Sequence, residues 1–166
     1  ALAEERYQRA EAAFLAALED QEARAIAPRA LSRAGWCRFL GGNPGGAAEL
    51  FLRAVREFPV SPEAEEALYM LGQSRAAAGD AAGATQAWQD YVEAYPSGPH
   101  RGEALLGLAR LDAAGAERWL ELALADGGDA KRSAYALFEL AERDAAQGRS
   151  GAAIDVAFVN GFVVDS

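Results

Sequence analysis

The most regular part of the sequence is residues 61–96, SPEAEEALYMLGQSRAAAGDAAGATQAWQDYVEAYP. In its first half, Leu68, Leu71, Gly72 and Arg75 recur at i, i+3, i+4 and i+7, which is the spacing of one helix face. The second half carries a similar stripe and then stops at a proline; the stripe consists of Ala84, Ala87, Trp88, Tyr91 and Val92. Between the two lies Gly79-Asp80, which is typical of a left-handed helix C-cap followed directly by an N-cap. The segment therefore predicts two helices joined by a tight turn.

The same segment also predicts how the first helix begins and how closely the two helices pack. Ser61 is predicted to cap the first helix with its hydroxyl, with Pro62 and Glu63 in the opening turn, where proline and negative charge are favoured. Small residues at Gly72 and Ala84 are expected to let the two helices approach closely, because larger side chains would hold the backbones apart.

Matching residues recur at intervals of 37 positions along the chain. The clearest columns are Ala10, Ala47 and Ala84; Phe14, Phe51 and Trp88; Gly35 and Gly72; Gly42 and Gly79; and Pro59 and Pro96. Such repetition is the signature of stacked helical pairs, each of which needs a neighbour to bury its apolar face. We therefore expect one repeat domain over residues 1–166, with repeats at 28–59, 65–96, 102–126 and 134–164. Residues 1–26 look like a second helix that lacks its first, so the chain is expected to be part of a longer array.

Composition excludes several classes of partner. Hydrophobic residues make up 51% of the chain, but 41 of them are alanines, which supply little core volume. The 16 Lys and Arg residues against 25 Asp and Glu give a net charge of -9, which disfavours nucleic acid. No apolar run is long enough to span a bilayer, so no membrane insertion is expected.

Residues for chemistry are scarce. His100 is the only histidine and Cys37 the only cysteine, so neither a multi-histidine metal site nor a disulfide within the chain is available. His100 is expected in an exposed loop, and Cys37 is expected to fill space in the core. The glycines of residues 41–46 lack the lysine of a phosphate-binding loop and predict a turn between helices. We therefore expect no catalytic residue, no cofactor and no metal, and predict that the chain is not an enzyme.

The pattern of residues 65–96 resembles that of tetratricopeptide repeats. The matching positions are Leu68, Leu71-Gly72, Ala84, Trp88, Tyr91 and Pro96, with Tyr91 larger than the family usually has. This resemblance implies an all-α fold, a right-handed α-solenoid of helical hairpins. It also implies a scaffold that holds a partner protein or peptide in a concave groove.

The first helix of each pair is expected to line that groove. The positions facing it contain aromatic, Met and Arg residues, which are enriched in binding hot spots. For each aromatic residue, burial between neighbouring helices is the alternative. The predicted groove residues are Arg33, Trp36, Phe39, Tyr69, Met70, Gln73, Leu106, Arg110, Phe138 and Glu142.

A narrower resemblance concerns the biological setting. Residues 58–64, FPVSPEA, together with Leu71-Gly72 and Gly79-Asp80, are similar to bacterial cell-envelope members of the family. Those include the periplasmic protein of the Tol–Pal system and the lipoprotein of outer-membrane protein assembly. The periplasm or cell envelope is implied by this resemblance alone, and the cytoplasm is the alternative.

Two alternatives to the scaffold remain open. The chain could be the helical superstructure of a larger enzyme whose catalytic domain lies elsewhere, as in a soluble lytic transglycosylase. It could instead be a self-associating organiser, because Ile154–Val164 is more apolar than the capping end of a solenoid should be. A homo-oligomer formed through that segment is therefore a further expectation.

Overall fold

A computed structural model describes residues 2–16, 25–127 and 130–148 of the chain. Within these ranges the regular structure is helical and no strand occurs. The α-helices are α1 (Leu2–Ala16), α2 (Ala27–Leu40), α3 (Pro44–Glu57), α4 (Ala64–Ala77), α5 (Ala81–Ala94), α6 (Arg101–Leu111), α7 (Ala116–Ala125) and α8 (Ala130–Ala146). The predicted all-α fold of helical hairpins is confirmed. The apolar segment Ile154–Val164 lies outside the described residues.

The chain divides into two compact units, Ala1–Gly98 and Pro99–Ser166. In the first unit each helix from α1 to α5 packs against the next one in the chain, and α2 also contacts α4. In the second unit α6 packs against α7, and α7 packs against α8. Contact between successive helices is the arrangement that a stack of hairpins requires.

The hairpins of the first unit close where an aromatic ring meets a glycine. Gly35 of α2 lies under the ring of Phe51, so a Cβ atom built on Gly35 would be 2.9 Å from two ring carbons. Gly72 of α4 lies under the indole of Trp88 in the same way. Both rings are buried. This contact explains why a glycine (Gly35, Gly72) and an aromatic residue (Phe51, Trp88) both recur at 37-residue intervals. The predicted close approach at Gly72 is confirmed.

The turns within these hairpins follow one pattern. Gly42 and Gly79 both have φ of +83°, which only glycine adopts without strain, so the predicted left-handed C-cap at Gly79 is confirmed. The next residue caps the following helix in each case. The Asn43 side chain accepts a hydrogen bond from the Gly46 N–H, and Asp80 accepts one from the Gly83 N–H, both at 2.9 Å.

An arginine of the preceding helix fastens each of these turns. Arg38 Nη1 donates to the Gly46 carbonyl oxygen at 3.2 Å, and Arg75 Nη1 donates to the Gly83 carbonyl oxygen at 3.0 Å. The two arginines are one repeat apart, so the whole turn recurs, including its side-chain hydrogen bonds. Each turn thereby ties the end of one helix to the first turn of the next.

The predicted start of α4 is wrong. The helix begins at Ala64, three residues after Ser61, and Glu63 at the N-cap makes no side-chain cap bond. Residues 58–63 instead form turns held by main-chain hydrogen bonds, from Ser61 N–H to the Phe58 carbonyl and from Ala64 N–H to the Ser61 carbonyl. The Ser61 hydroxyl does not cap the helix, and it is buried with no hydrogen-bond partner among the described residues.

Candidate functional site

A cleft of about 230 Å³ lies between α2 and the segment that leads into α4. Both walls belong to the first compact unit. The cleft is lined by Arg29, Ser32, Arg33, Trp36, Pro62, Glu63 and Glu66. Two of the predicted groove residues, Arg33 and Trp36, therefore lie together at one concave site.

The α2 wall is built by helical periodicity. Arg29, Arg33 and Trp36 follow one another at i, i+4 and i+7, so their side chains share one face of the helix. The face next to it carries Leu31 and Ala34, which are buried in the core. The packing of α2 on its neighbours therefore leaves the two guanidinium groups exposed.

The indole of Trp36 is held in place by two other rings. It contacts Phe39 edge-on with ring centroids 6.2 Å apart, and Phe51 edge-on at 6.4 Å. Phe51 is itself buried against Gly35, so the position of Trp36 is fixed by the closure of the α2–α3 hairpin. Trp36 and Phe39 are both half-buried, which leaves part of each ring accessible.

The opposite wall is acidic. Glu63 and Glu66 lie three residues apart at the beginning of α4, next to Pro62. Neither glutamate, and neither Arg29 nor Arg33, forms an ion pair with any side chain in the part of the chain that the structure describes. The cleft thus separates two positive from two negative charges.

The predicted groove residues of α4 lie deeper. Tyr69 and Met70 are buried, and Gln73 is half-buried with its Nε2 donating to Tyr69 Oη at 2.6 Å. The Tyr69 ring also meets the ring of Tyr91 at 5.9 Å between centroids. These contacts place Tyr69 within the packing of the α4–α5 hairpin; the binding role of all three residues stays a prediction.

The second unit carries the remaining predicted groove residues. Leu106 of α6 is buried, whereas Arg110 is exposed with its guanidinium 5.2 Å from the centroid of the Tyr135 ring. On α8, Phe138 and Glu142 are exposed, Phe138 to 58%. Their binding role is likewise still a prediction.

Three charged residues of the cleft were not predicted from the sequence: Arg29, Glu63 and Glu66. Arg29 could have been found, because it precedes Arg33 by one helical turn on the same face. Glu63 was expected only as part of a helix start, and nothing in the spacing of the two glutamates shows which helix lies opposite. Only the contact between α2 and α4 brings them to the arginine face.

A second concavity lies between α1 and α2 and has a volume of about 380 Å³. Its walls include Tyr7, Cys37 and an ion pair in which Arg38 Nε lies 2.5 Å from Glu11 Oε1. Burial raises the pKa of the Cys37 thiol; the Glu11 charge raises it further, and Arg33 lowers it. A raised pKa keeps the sulfur protonated at neutral pH, the opposite of what a nucleophilic cysteine requires.

The described side chains contain no group of three or more His, Cys, Asp and Glu residues placed to hold a metal ion. None of the described helices combines the length and the apolar character needed to cross a bilayer. His100 lies half-buried at the N-terminus of α6.

Comparisons with known proteins agree with the geometry of the helices. Family models described as tetratricopeptide repeat match residues 1–62 and residues 66–98. No curated protein matched the chain. Tetratricopeptide repeats generally mediate protein–protein interactions and are typically non-catalytic. Residues 1–62 and 66–98 of this chain are therefore tetratricopeptide repeats.

Proposed function

We propose that the chain is a non-enzymatic scaffold that binds a segment of a partner protein in the cleft between α2 and α4. The observation that carries the proposal is the meeting of Arg33 and Trp36 in one concavity. Arg and Trp are among the residue types enriched in the hot spots that dominate binding energy at protein interfaces. An indole held by neighbouring rings also loses little conformational entropy when a ligand covers it.

The size of the cleft limits what can enter it. A volume of about 230 Å³ suits one or two side chains, whereas pockets for drug-sized ligands measure roughly 300 Å³ or more. The cleft therefore suits a short anchor within a longer peptide segment. Affinity for a whole partner would come from further contacts along the exposed faces of the helices.

Selection from a display library of random peptides on the full chain tests this function. Binders are expected to lose about tenfold or more in affinity, measured by isothermal titration calorimetry, on the Arg33→Glu variant. Arg56→Glu is the matched control, because Arg56 is an exposed arginine of α3 away from the cleft. Trp36→Ala gives a second reading at the same site, and circular dichroism establishes that each variant is folded. Failure to select any peptide, or binders that ignore both cleft substitutions, would overturn the proposal.

The biological setting is proposed on the sequence resemblance alone. The likeness of residues 58–64 to bacterial envelope members of the family favours the periplasm or cell envelope as the compartment. Fractionation of cells that express the native gene, with immunodetection of this chain, tests that assignment. Recovery in the cytoplasmic fraction would refute it, and the peptide-binding function would be unaffected.

Self-association is the second candidate function, favoured by the exposure of Phe138 on the last described helix. The apolar segment Ile154–Val164 is the other candidate contact. Sedimentation equilibrium should show a mass that rises with protein concentration, and Phe158→Asp should abolish the rise. A monomeric wild-type chain at every concentration would eliminate this function.

A further inference from the structure

The arginines of α2 are unusual in having no acidic residue on their own helix. Between Ala27 and Leu40 the helix carries three arginines and no Asp or Glu. Arg38 is engaged by Glu11 and by the Gly46 carbonyl. Arg29 and Arg33 have no ion pair among the described residues, although both line the cleft.

The glutamates at the beginning of α4 also differ in whether their carboxylates are engaged within the protein. Glu65 accepts a hydrogen bond from Tyr91 Oη at 2.9 Å and is thereby used within the α4–α5 hairpin. Glu63 and Glu66 line the cleft and make no ion pair with a described side chain. Two unpaired carboxylates thus lie across the cleft from two unpaired guanidinium groups.

This charge layout discriminates between ligands. An acidic segment is attracted by Arg29 and Arg33 but repelled by Glu63 and Glu66, and a basic segment meets the reverse situation. An interface excludes the wrong partner when it places like charges together. Only a segment that carries both a positive and a negative charge is attracted by both walls at once.

A buried hydroxyl provides a second, independent observation. Ser32 lines the cleft, is only 3% exposed, and its Oγ has no hydrogen-bond partner among the described residues. Leaving a buried polar group unsatisfied is unfavourable. The α2 wall of the cleft therefore contains an unsatisfied hydroxyl next to Arg33 in the sequence.

We propose that the cleft selects an extended peptide segment in which an acidic and a basic side chain occupy adjacent positions. The proposal rests on the function proposed above. Successive side chains of an extended chain point in opposite directions, so neighbours reach opposite walls. The acidic side chain pairs with Arg29 and Arg33, and the basic side chain pairs with Glu63 and Glu66.

A panel of synthetic peptides in one host sequence tests the proposal by titration calorimetry at low and at physiological salt. The central pair is Glu-Arg, Glu-Glu, Arg-Arg or Gln-Gln, and one further peptide separates Glu and Arg by an alanine. Glu-Arg should bind about tenfold or more tightly than each of the others, because only adjacent opposite charges meet both walls. Added salt should reduce this preference.

Variants of the protein link the preference to the two walls. Arg33→Gln and Glu66→Gln should each reduce binding of the Glu-Arg peptide by about fivefold or more, and Arg56→Gln should leave it unchanged. The double variant Glu63→Gln with Glu66→Gln should instead improve binding of the Glu-Glu peptide, since its repulsion is removed. Equal binding of all five peptides would overturn the proposal. So would a loss of affinity in Arg56→Gln as large as in Arg33→Gln and Glu66→Gln.

The display selection separates failure of this proposal from failure of the proposed function. If selected peptides depend on Arg33 and Trp36 but contain no adjacent opposite charges, the scaffold function stands and the charge-pair proposal falls. If no selected peptide depends on the cleft, both fall.

Discussion

The indole of Trp88 lies directly on the backbone of Gly72. A Cβ atom built on Gly72 would come within 2.4 Å of both Cδ1 and Nε1 of that indole. Trp88 is buried, and so is Tyr91 one turn further along α5. The α4–α5 hairpin therefore closes by placing a large ring where the partner helix has no side chain.

Replacing this glycine should destabilise the protein. Gly72→Ala normally favours a helix by about 1 kcal/mol, because alanine restricts the unfolded chain. Here the added methyl group would overlap the indole, and overpacking of this kind costs about 1–3 kcal/mol. We expect a lower urea midpoint, followed by circular dichroism, and a change in tryptophan fluorescence.

Gly45→Ala is the matched control for that experiment. Gly45 lies in the first turn of α3, and a Cβ atom built there would meet nothing within 4 Å. The same substitution should therefore stabilise the protein by about 0.5–1 kcal/mol. A loss of stability at Gly45, or a gain at Gly72, would contradict the packing described for the hairpin.

The sequence was sufficient to predict the hairpins because their key contacts repeat. Glycine and an aromatic residue recur together 37 positions apart, and so do Gly42 and Gly79 at the turns. The start of α4 was not predictable in the same way. Ser61-Pro62-Glu63 has the composition of a helix N-terminus, yet main-chain hydrogen bonds of residues 58–64 form turns instead. Local composition cannot show which of two hydrogen-bonded arrangements the chain adopts.

The cleft was only half predictable for a physical reason. Helical spacing identifies which side chains share a face, and this was enough to select Arg33 and Trp36. It does not determine which other helix faces them or at what distance. The pairing of that face with Glu63 and Glu66 depends on how α2 packs against α4. Long-range packing of this kind has no signature within either helix.

The arginine that fastens each turn leads to a second prediction. Arg75 Nη1 donates to the Gly83 carbonyl at 3.0 Å, and its Nε lies 3.8 Å from Asp80. Arg75→Met keeps the aliphatic part of the side chain and removes the donor, so it should cost about 1 kcal/mol of folding free energy. Thermal unfolding followed by circular dichroism measures the loss.

Arg53→Met provides the comparison for Arg75→Met. Arg53 pairs with Glu57 four residues away on the exposed face of α3, and such pairs contribute only about 0.3–0.5 kcal/mol. We expect a smaller change in unfolding temperature than at Arg75. Equal effects at the two positions would show that the arginine does not fasten the turn.

Replacing either of two buried serines by alanine should stabilise the protein. The hydroxyl groups of Ser74 in α4 and Ser133 in α8 are buried and have no hydrogen-bond partner among the described residues. Thr85 differs, since its hydroxyl donates to the Ala81 carbonyl at 2.9 Å. Because alanine removes an unsatisfied group and favours the helix, Ser74→Ala and Ser133→Ala should each stabilise the protein by about 1 kcal/mol.

Urea denaturation tests the serine prediction directly. The unfolding midpoint should rise in both single variants, and the two gains should add in the double variant because the sites lie in different compact units. A fall in the midpoint for either serine would mean that its hydroxyl is satisfied in solution, by water or by a main-chain carbonyl.

The contact between Asp112 and Trp119 predicts a pH dependence. Trp119 Nε1 donates to Asp112 Oδ2 at 2.8 Å, and the Gly115 N–H donates to Oδ1 at 3.1 Å. The bond from Trp119 is the largest cause of the lowered pKa of Asp112, and the bond from Gly115 acts in the same direction. Both bonds favour the carboxylate over the protonated acid.

The lowered pKa of Asp112 determines the direction in which stability changes with pH. A carboxyl whose pKa is lower in the folded chain contributes stability that is complete above its unfolded pKa, about 3.9 for Asp. That contribution is lost as the pH falls through the lower folded pKa.

The Trp119 indole proton, observed by NMR and assigned with Trp119→Phe, should therefore move upfield in acid with a midpoint below the usual Asp range. Asp112→Asn should remove this titration, whereas the Trp88 indole, whose Nε1 has no partner among the described residues, should show none of its own. A Trp119 proton that titrates equally in Asp112→Asn would mean that another group controls it, and the bond to Asp112 would not hold the α6–α7 turn.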